Sequence, residues 1–329
     1  MKEVTPDFYK DFQCVGSACG HNCCIGWEIG IDEDTADFYR SVGGEMGERL
    51  AKGIRYGSDG AGFRMGEDKR CPFLNRNNLC DIITDIGAGG LCQICADHPR
   101  FRADFEDRIE FGLGLACEEA ARLWLTHEDP VRFVTAGDDG EGEEPTGEEQ
   151  RFFERRAALL AIAQDRTCPV YRRTERIARA VGIDGLDLTT ENWIGFYEDL
   201  ETAEPESFQT LCCLMDALCH GALGSYRAAE SAYEIPAEQA LVYFLYRYLS
   251  HAMDEEDFLA RVGFSVISCR FLMDIWDTAL PDGGHLSEGA LIDLARRYSA
   301  EVEYSDENVA RILAALRREI HDKVVTKVV

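Results

Sequence analysis

The sequence predicts a mainly α-helical protein of the α+β class, in which a small cysteine-rich N-terminal unit with short antiparallel strands precedes a helical bundle. Nine of the 14 cysteines lie between Cys14 and Cys117, and short alternating segments surround them. Further along, the apolar residues instead recur at helical spacing. Glycine and glutamate dominate the stretch between these parts, which is typical of a linker. We therefore predict a cysteine-rich metal-binding or iron–sulfur domain (1–136), an acidic linker (137–150) and a helical domain (151–329).

Local patterns predict the elements of the N-terminal part. Asp32 is a good N-cap for a helix that runs to about Val42. Alternation of polar and apolar residues predicts a short strand at 27–31 and a hairpin over 102–115. A small antiparallel element is predicted around Phe63 and residues 71–74, with a turn at 75–78 and a returning strand at 79–82. Two short helices are predicted, at 89–96 and 118–125.

The helical domain is predicted from apolar residues that share one face of a helix. Four such faces are Phe152, Leu159, Leu160 and Ile162; Phe208, Leu211, Met215 and Leu218; Leu241, Phe244, Leu245, Tyr248 and Leu249; and Val309, Ile312, Leu313 and Leu316. The last helix has Ser305 as its predicted N-cap. The cysteines of this half are predicted to be small core residues: Cys168, Cys212, Cys213, Cys219 and Cys269. Because this half has its own apolar faces and caps, we expect it to fold without metal.

The composition bears on partners and location. A formal net charge of -27 repels phosphate backbones, so we expect no nucleic-acid partner. Such a surface attracts a basic, lysine-bearing protein. The alternative is that the charge serves only to keep the protein soluble. No secretory segment follows Met1, and no apolar run reaches the roughly 18 residues of a membrane span. We therefore predict a cytoplasmic protein that does not bind membranes.

The densest cysteine segment is Cys14-Val-Gly-Ser-Ala-Cys19-Gly-His-Asn-Cys23-Cys24. Four thiols so close together favour a metal site over core packing, because thiolates are strong ligands for zinc and for iron–sulfur clusters. A reducing compartment argues against disulfides. Cys92-Gln-Ile-Cys95 is the one C-x-x-C motif of the sequence. Neither a second close pair nor a clear strand–helix context accompanies it, so alone it indicates neither a zinc knuckle nor a redox pair.

Taken in order, the cysteines and their flanking residues resemble the flagellin lysine-N-methylase family, which is related to the C-x-x-C-x-x-C-C group of zinc- or iron-chelating proteins. The matching motifs are the segment Cys14 to Trp27, Cys71-Pro-Phe-Leu74, Leu79-Cys80-Asp81-Ile82, Cys95 with Pro99-Arg100, and Cys117-x-Glu119-Ala120-Ala121-Arg122. The resemblance covers the segment from residue 1 to residue 125. It implies an enzyme that transfers methyl groups from S-adenosylmethionine to lysine side chains of flagellin and requires a 4Fe-4S iron–sulfur cluster.

The same resemblance implies a set of metal ligands. They are Cys14, Cys19, Cys23, Cys24, Cys71, Cys80, Cys95 and Cys117. Cys92 is left out, because relatives have a polar residue there, so we expect Cys92→Ser to be mild and Cys95→Ser to release the metal. A 4Fe-4S cluster needs four thiolates. The sequence does not show which four of the eight cysteines bind the cluster. Two alternatives also remain: a cluster together with a separate structural zinc, and zinc in place of the cluster. We expect the eight thiols to converge into one compact site.

Three other residues near these thiols are candidates. Arg100 is the candidate cofactor-binding residue, since it can pair with a carboxylate of S-adenosylmethionine, and a structural salt bridge is the alternative. His21 is either a further metal ligand or a surface residue. Trp27 fits a lid or core position better than a cage around a methyl-sulfonium group. The sequence identifies no catalytic base.

Two familiar cofactor motifs are absent from the sequence. No G-x-G-x-x-G follows a predicted strand, which argues against the conventional methyltransferase fold. The opening loop also lacks the C-x3-C-x2-C spacing of radical S-adenosylmethionine enzymes, because Gly26 stands at the third position. The competing hypothesis is therefore a non-catalytic metal-binding protein, whether a structural module, a metal carrier or a redox sensor.

Overall fold

The computed structural model of this chain describes residues 1–58, 60–137, 146–201, 210, 213, 233–279 and 285–325. The chain forms two compact units. We call residues 13–101 and 117–119 the thiol unit, and residues 1–12, 102–116 and 120–329 the helical unit. Helices dominate and the strands are short, so the predicted class, mainly α within α+β, is confirmed. No helix of the described residues is long and apolar enough to cross a membrane.

The regular elements follow one another along the chain. The strands are β1 (Lys2–Pro6), β2 (Gly30–Ile31), β3 (Ile54–Gly57), β4 (Gly60–Phe63), β5 (Arg100–Asp104), β6 (Arg108–Leu113) and β7 (Phe133–Ala136). The helices are α1 (Glu33–Ser41), α2 (Gly44–Gly53), α3 (Asp81–Ile86), α4 (Gln93–Asp97), α5 (Glu118–Leu125), α6 (Gly147–Ala163), α7 (Val170–Ala180), α8 (Thr190–Glu198), α9 (Glu234–Leu249), α10 (Glu255–Thr278), α11 (Glu288–Val302) and α12 (Asp306–Ile320), with a π-helical turn at His321–Val325.

Two small sheets accompany these helices. In the thiol unit β2, β4 and β3 form an antiparallel sheet in that order. The other sheet has the order β5-β6-β1-β7, in which β1 is parallel to β6 and antiparallel to β7. The predicted hairpin over 102–115 corresponds to β5 and β6. Strands β1 and β7 were not predicted, because their partners lie far away in the sequence and their own patterns are short.

The core of the helical unit is built on α9 and α10. Ten consecutive residues of α9, from 237 to 246, are buried, and so are residues 262 to 276 of α10. A helix buried on every side needs neighbours all around it. Tyr246 shows what covers one side of α9, since its hydroxyl donates to the carbonyl oxygens of Val4 and Phe111, both at 3.2 Å. The sheet is therefore part of the helical core.

Several local predictions are confirmed. The Asp32 carboxylate accepts the Thr35 N–H at 2.9 Å and begins α1. The Ser305 hydroxyl accepts the Asn308 N–H at 3.2 Å and begins α12. Helix α5 has the predicted bounds. Helices α6, α9 and α12 match three of the four predicted apolar faces, whereas the face from Phe208 to Leu218 lies outside the described residues apart from Thr210 and Cys213.

Other predictions are wrong in detail. Residues 79–82 form no strand: Cys80 bridges Leu74 as a single antiparallel pair, and α3 starts at Asp81. The short helix predicted at 89–96 is confined to 93–97. In the helical half, Cys269 is buried as predicted, but Cys168 is half-buried and Cys213 is exposed. Cys212 and Cys219 lie outside the described residues.

The compact units differ from the predicted domains. The predicted linker, 137–150, contains residues 138–145, which are outside the described part of the chain, and independent folding of 151–329 stays a prediction. Yet β1, β6 and most of α5 belong with the helices in one compact unit. Arg156 of α6 donates two hydrogen bonds to Glu110 of β6, at 2.7 and 2.5 Å, and both side chains are buried. These contacts cross the predicted boundary.

A buried acid in α10 predicts a pH-dependent stability. Burial raises the pKa of Asp274 to about 7, and the carboxylates of Glu191 and Asp277 add to the rise, while the Thr190 hydroxyl opposes it. Between the ordinary value of 3.8 and about 7 the folded protein keeps a proton that the unfolded chain releases. The free energy of unfolding must therefore fall as pH rises through this range and level off above it.

We expect the wild type to lose about 2 kcal/mol of stability between pH 5.5 and 7.5 that Asp274→Asn does not lose. The measurement is urea denaturation of both proteins across this range. Asp277→Asn is the matched control, since it lies one turn away on α10 and leaves Asp274 in place. It should also lose stability as pH rises, but its curve should level off at a slightly lower pH, because the Asp277 charge that helps to raise the pKa of Asp274 is gone. Equal slopes for the wild type and Asp274→Asn would show that Asp274 is ionised in the folded protein.

Candidate metal centre

The cysteine loop is held against the segment that carries Cys71. The Cys71 N–H donates to the Cys24 carbonyl oxygen at 2.8 Å, and the Gly26 N–H donates to Lys69 at 3.0 Å. Gly26 has a φ of 101°, a conformation that side chains disfavour. The glycine therefore allows the chain to turn directly after the cysteine pair. As a result Cys24 and Cys71 lie next to each other although 46 residues separate them in the sequence.

Cys80 reaches the same place through a tight turn. Asn75 closes this turn, since its side-chain oxygen accepts the N–H groups of Asn77 and Leu79 at 2.9 and 3.1 Å. Cys80 then pairs with Leu74 and serves as the N-cap residue of α3. The turn thus folds the 71–80 segment back on itself.

Cys92 and Cys95 are positioned by contacts with α1. Asp32, the N-cap of α1, also accepts the Gln93 N–H at 2.8 Å, and this bond is the largest cause of its lowered pKa. The Tyr39 hydroxyl donates to the Gly90 carbonyl oxygen at 2.7 Å. Residues 90 to 93 are therefore tied to α1 at both ends. This places Cys92 in the core of the thiol unit, where its side chain is 0% exposed.

Five thiols consequently converge, and we call them the inner thiols: Cys24, Cys71, Cys80, Cys92 and Cys95. Cys92 and Cys95 share a hydrogen bond, which lowers the pKa of Cys92 and raises that of Cys95. Burial raises the pKa of Cys71 to about 11, with further contributions from Cys80 and Cys92. The pKa of Cys24 is raised by its hydrogen bond with Cys23, by burial, and by the charges of Cys71 and Cys80. Each thiol thus acts on the others.

Three thiols of the opening loop, which we call the loop thiols, form a second group: Cys14, Cys19 and Cys23. Burial raises the pKa of Cys19, and charges on Glu118, Cys23 and Cys14 add to the rise. Cys23 joins the two groups, because its hydrogen bond with Cys24 lowers its pKa to about 7. Cys23 also acts electrostatically on Cys80, whereas the convergence of all eight predicted ligands into one compact site stays a prediction.

Cys117 is tied to this loop by its neighbour Glu118. The Glu118 carboxylate accepts the Gly20 N–H at 2.9 Å and lies 3.8 Å from the Cys19 sulfur and 3.5 Å from His21 Nδ1. Cys117 itself is half-buried. Glu118 therefore holds the loop and the start of α5 together.

The remaining candidates lie beside the loop. Trp27 donates its indole N–H to the Cys23 carbonyl oxygen, and its ring lies 6.0 Å from the ring of His98. Burial, together with the nearby charge of Arg100, lowers the pKa of His98 to about 4. Arg100 starts β5 and is exposed. Arg100 is therefore near the loop and open to solvent, and its role in cofactor binding stays a prediction.

The donor chemistry of the inner thiols fits a thiophilic metal or an iron–sulfur cluster. Among the described residues no three His, Cys, Asp or Glu side chains are already arranged as ligands of a metal ion, so binding would require side-chain rotations. Neighbouring thiols raise the pKa of Cys24, Cys71 and Cys95, and a bound cation reverses this because it stabilises the thiolate form. Cys71 and Cys92 are buried and the other three are partly buried, which limits the access of solvent to a metal.

A second polar cluster, which the sequence did not predict, lies in the helical unit. Glu303 accepts hydrogen bonds from the hydroxyls of Tyr243 at 2.6 Å and Tyr248 at 2.9 Å, and Arg247 lies 3.2 Å from the same oxygen. Burial raises the pKa of both tyrosines, so they act as donors. The sequence gives no signal for this cluster, because its members lie on α9 and after α11 among other acids and tyrosines. It stabilises the packing of these helices.

Comparison with known proteins gives consistent matches. A family model described as "FliB lysine N-methylase C-terminal domain" matches residues 156–324. The "Flagellar biosynthetic protein FliU" of Salmonella muenchen is 30% identical over 140 residues, which cover 40% of this chain and 83% of that protein. Proteins named "Lysine-N-methylase" from Salmonella choleraesuis and Salmonella typhimurium are also 30% identical over 140 residues. The matched residues cover 40% of this chain and 35% of each of these two relatives. No solved structure matches.

Proposed function

This chain belongs to the FliB lysine N-methylase family, and from that premise we propose that it transfers methyl groups from S-adenosylmethionine to lysine side chains of flagellin. The matched family segment is the observation that carries this proposal. Because the chain spans 35% of the length of the two lysine-N-methylases, the activity and the substrate are both part of the proposal. The proposed site of action is the cytoplasm, before flagellin is exported.

The proposed cofactor is a 4Fe-4S cluster held by four of the inner thiols, and zinc is the alternative. The donor set supports it, since the five inner thiols belong to, or pack against, one hydrophobic cluster of the thiol unit. If only three of these thiols were bound, the fourth iron would be free to chelate the amino and carboxylate groups of S-adenosylmethionine. The protein's own part is to hold the ligands on tied backbone segments and to exclude water with Trp27 and the apolar residues around Cys71.

The proposed partner is a basic protein surface. The net charge of -27 favours encounter with lysine-bearing proteins and disfavours nucleic acid. An acidic surface speeds association without fixing specificity. The choice of flagellin therefore rests on the family and not on charge.

Methyl transfer can be measured directly. Protein reconstituted with iron and sulfide under anaerobic conditions is incubated with methyl-labelled S-adenosylmethionine and purified flagellin. We expect label on flagellin lysines, found by mass spectrometry. Flagellin with chemically acetylated lysines is the control, and it should remain unlabelled.

One observation favours a second candidate function. Cys71 and Cys92 lie in the hydrophobic core of the thiol unit, as the ligands of a structural metal do. A protein that holds its metal tightly but labels no flagellin in the same assay would be such a metal-binding module. That result would contradict the methylase proposal.

A further inference from the structure

Cys92 lies among the inner thiols although it is outside the family pattern of cysteines. Its side chain is fully buried, and its thiol is hydrogen-bonded to the thiol of Cys95. It belongs to the same buried hydrophobic cluster as Cys71, and Cys24 and Cys95 pack against that cluster. We propose that Cys92 is a ligand of the metal group that the inner thiols hold, together with Cys95, Cys71 and Cys24.

The alternative is that Cys92 is a small core residue, and another cysteine of this chain shows what such a residue looks like. Cys269 on α10 is equally buried. Its sulfur lies 3.6 Å from the Ala237 carbonyl oxygen, and the charged groups that act on it are Arg270, Glu234 and Arg173, none of which is a thiol. Cys92 instead lies beside another thiol, that of Cys95, which is three residues further along the chain. A core residue has no need of thiol neighbours, whereas a ligand needs several.

The backbone around Cys92 is fixed in a way that suits a ligand. Hydrogen bonds from Tyr39 to Gly90 and from Gln93 to Asp32 hold the segment on both sides of Cys92. The bond between Cys71 N–H and the Cys24 carbonyl oxygen fixes the other two proposed ligands. All four side chains thus start from backbones held by hydrogen bonds. Binding then replaces each thiol proton with the metal, and the protons go to solvent.

This inference rests on the proposed metal cofactor but not on methyl transfer, so metal binding alone can test it. Cys92→Val and Cys92→Ser are compared with the wild type and with Cys269→Val, the matched control at an equally buried cysteine. Each full-length protein is reconstituted anaerobically with iron and sulfide. The amounts of bound iron and bound sulfide per chain are then measured. In a parallel series Co2+ alone is added, and the thiolate-to-cobalt absorption is recorded.

We expect both Cys92 variants to lose more than half of the iron and sulfide, and to lose about one quarter of the cobalt absorption, since one of four thiolates is gone. Cys269→Val should match the wild type. Wild-type metal content in both Cys92 variants would overturn the inference while leaving the proposed cofactor intact. A wild type that binds neither metal would overturn both. If Cys92→Val loses its circular dichroism without metal, the nearly isosteric Cys92→Ser decides.

Discussion

A fragment that begins at Arg151 is expected not to fold cooperatively, although the sequence alone predicts that residues 151–329 form an independent domain. The first reason is charge. Arg156 is buried and paired with Glu110, which the fragment lacks. Breaking a buried ion pair by removing one partner costs about 3–5 kcal/mol. This cost is a large part of the stability of an ordinary domain.

The second reason is apolar packing on α9. Trp124 is fully buried and lies edge-on against Tyr243, with ring centroids 5.4 Å apart. Phe133 stacks on Tyr246 at 4.3 Å. The fragment lacks both partners, and each large buried side chain contributes about 1.5–3 kcal/mol. In the intact chain α9 is buried on every side. In the fragment, one side of α9 would therefore face water.

The fragment needs a control that differs only in these contacts. A chain that joins residues 1–12 to 102–329 through a short glycine-serine linker lacks most of the thiol unit but keeps Glu110, Trp124 and Phe133. We expect this control to unfold cooperatively in urea, followed by circular dichroism, and the fragment from Arg151 to show no transition. A cooperative transition of the fragment at the same midpoint would restore the predicted boundary at 137–150.

The sequence predicted those elements whose signals are local. Asp32 and Ser305 cap helices because a carboxylate or hydroxyl before an apolar face satisfies free N–H groups within three residues. Strand β1 could not be predicted in this way. Its partners are β6 and β7, more than one hundred residues further on, and parallel pairing leaves no turn signal next to the strand. The predicted domain boundary was drawn without this pairing, and it stays a prediction.

The candidate site shows the same division between local and distant signals. Clustered cysteines predicted the loop thiols, and ordered motifs predicted that Cys24 would meet Cys71 and Cys80. The family pattern left out Cys92, however, because a pattern of cysteines says nothing about burial. Its position depends on bonds from α1, which join residues more than fifty positions apart. The separation of inner from loop thiols also depends on such contacts.

That separation predicts opposite behaviour for two adjacent cysteines. Cys24 packs against the core of the thiol unit, next to Cys71, whereas Cys23 is exposed. Replacing either thiol by a hydroxyl changes the side chain little in size but replaces a strong soft-metal ligand with a weak one. We therefore expect Cys24→Ser to lose more than nine tenths of the bound iron, and Cys23→Ser to keep most of it. Iron and sulfide per chain after anaerobic reconstitution are the measurement.

The same pair of variants distinguishes one metal site from two. If the loop thiols hold a separate zinc, Cys23→Ser should lose zinc while it retains iron, because loss of one of four ligands weakens a structural site strongly. If they hold none, Cys23→Ser should match the wild type in both metals. Cys168→Ser, at a half-buried cysteine of the helical unit, controls for the loss of a thiol as such. Equal loss of iron from Cys23→Ser and Cys24→Ser would mean that the inner and loop thiols form a single site, because the ligands would then be drawn from both sides of the adjacent pair.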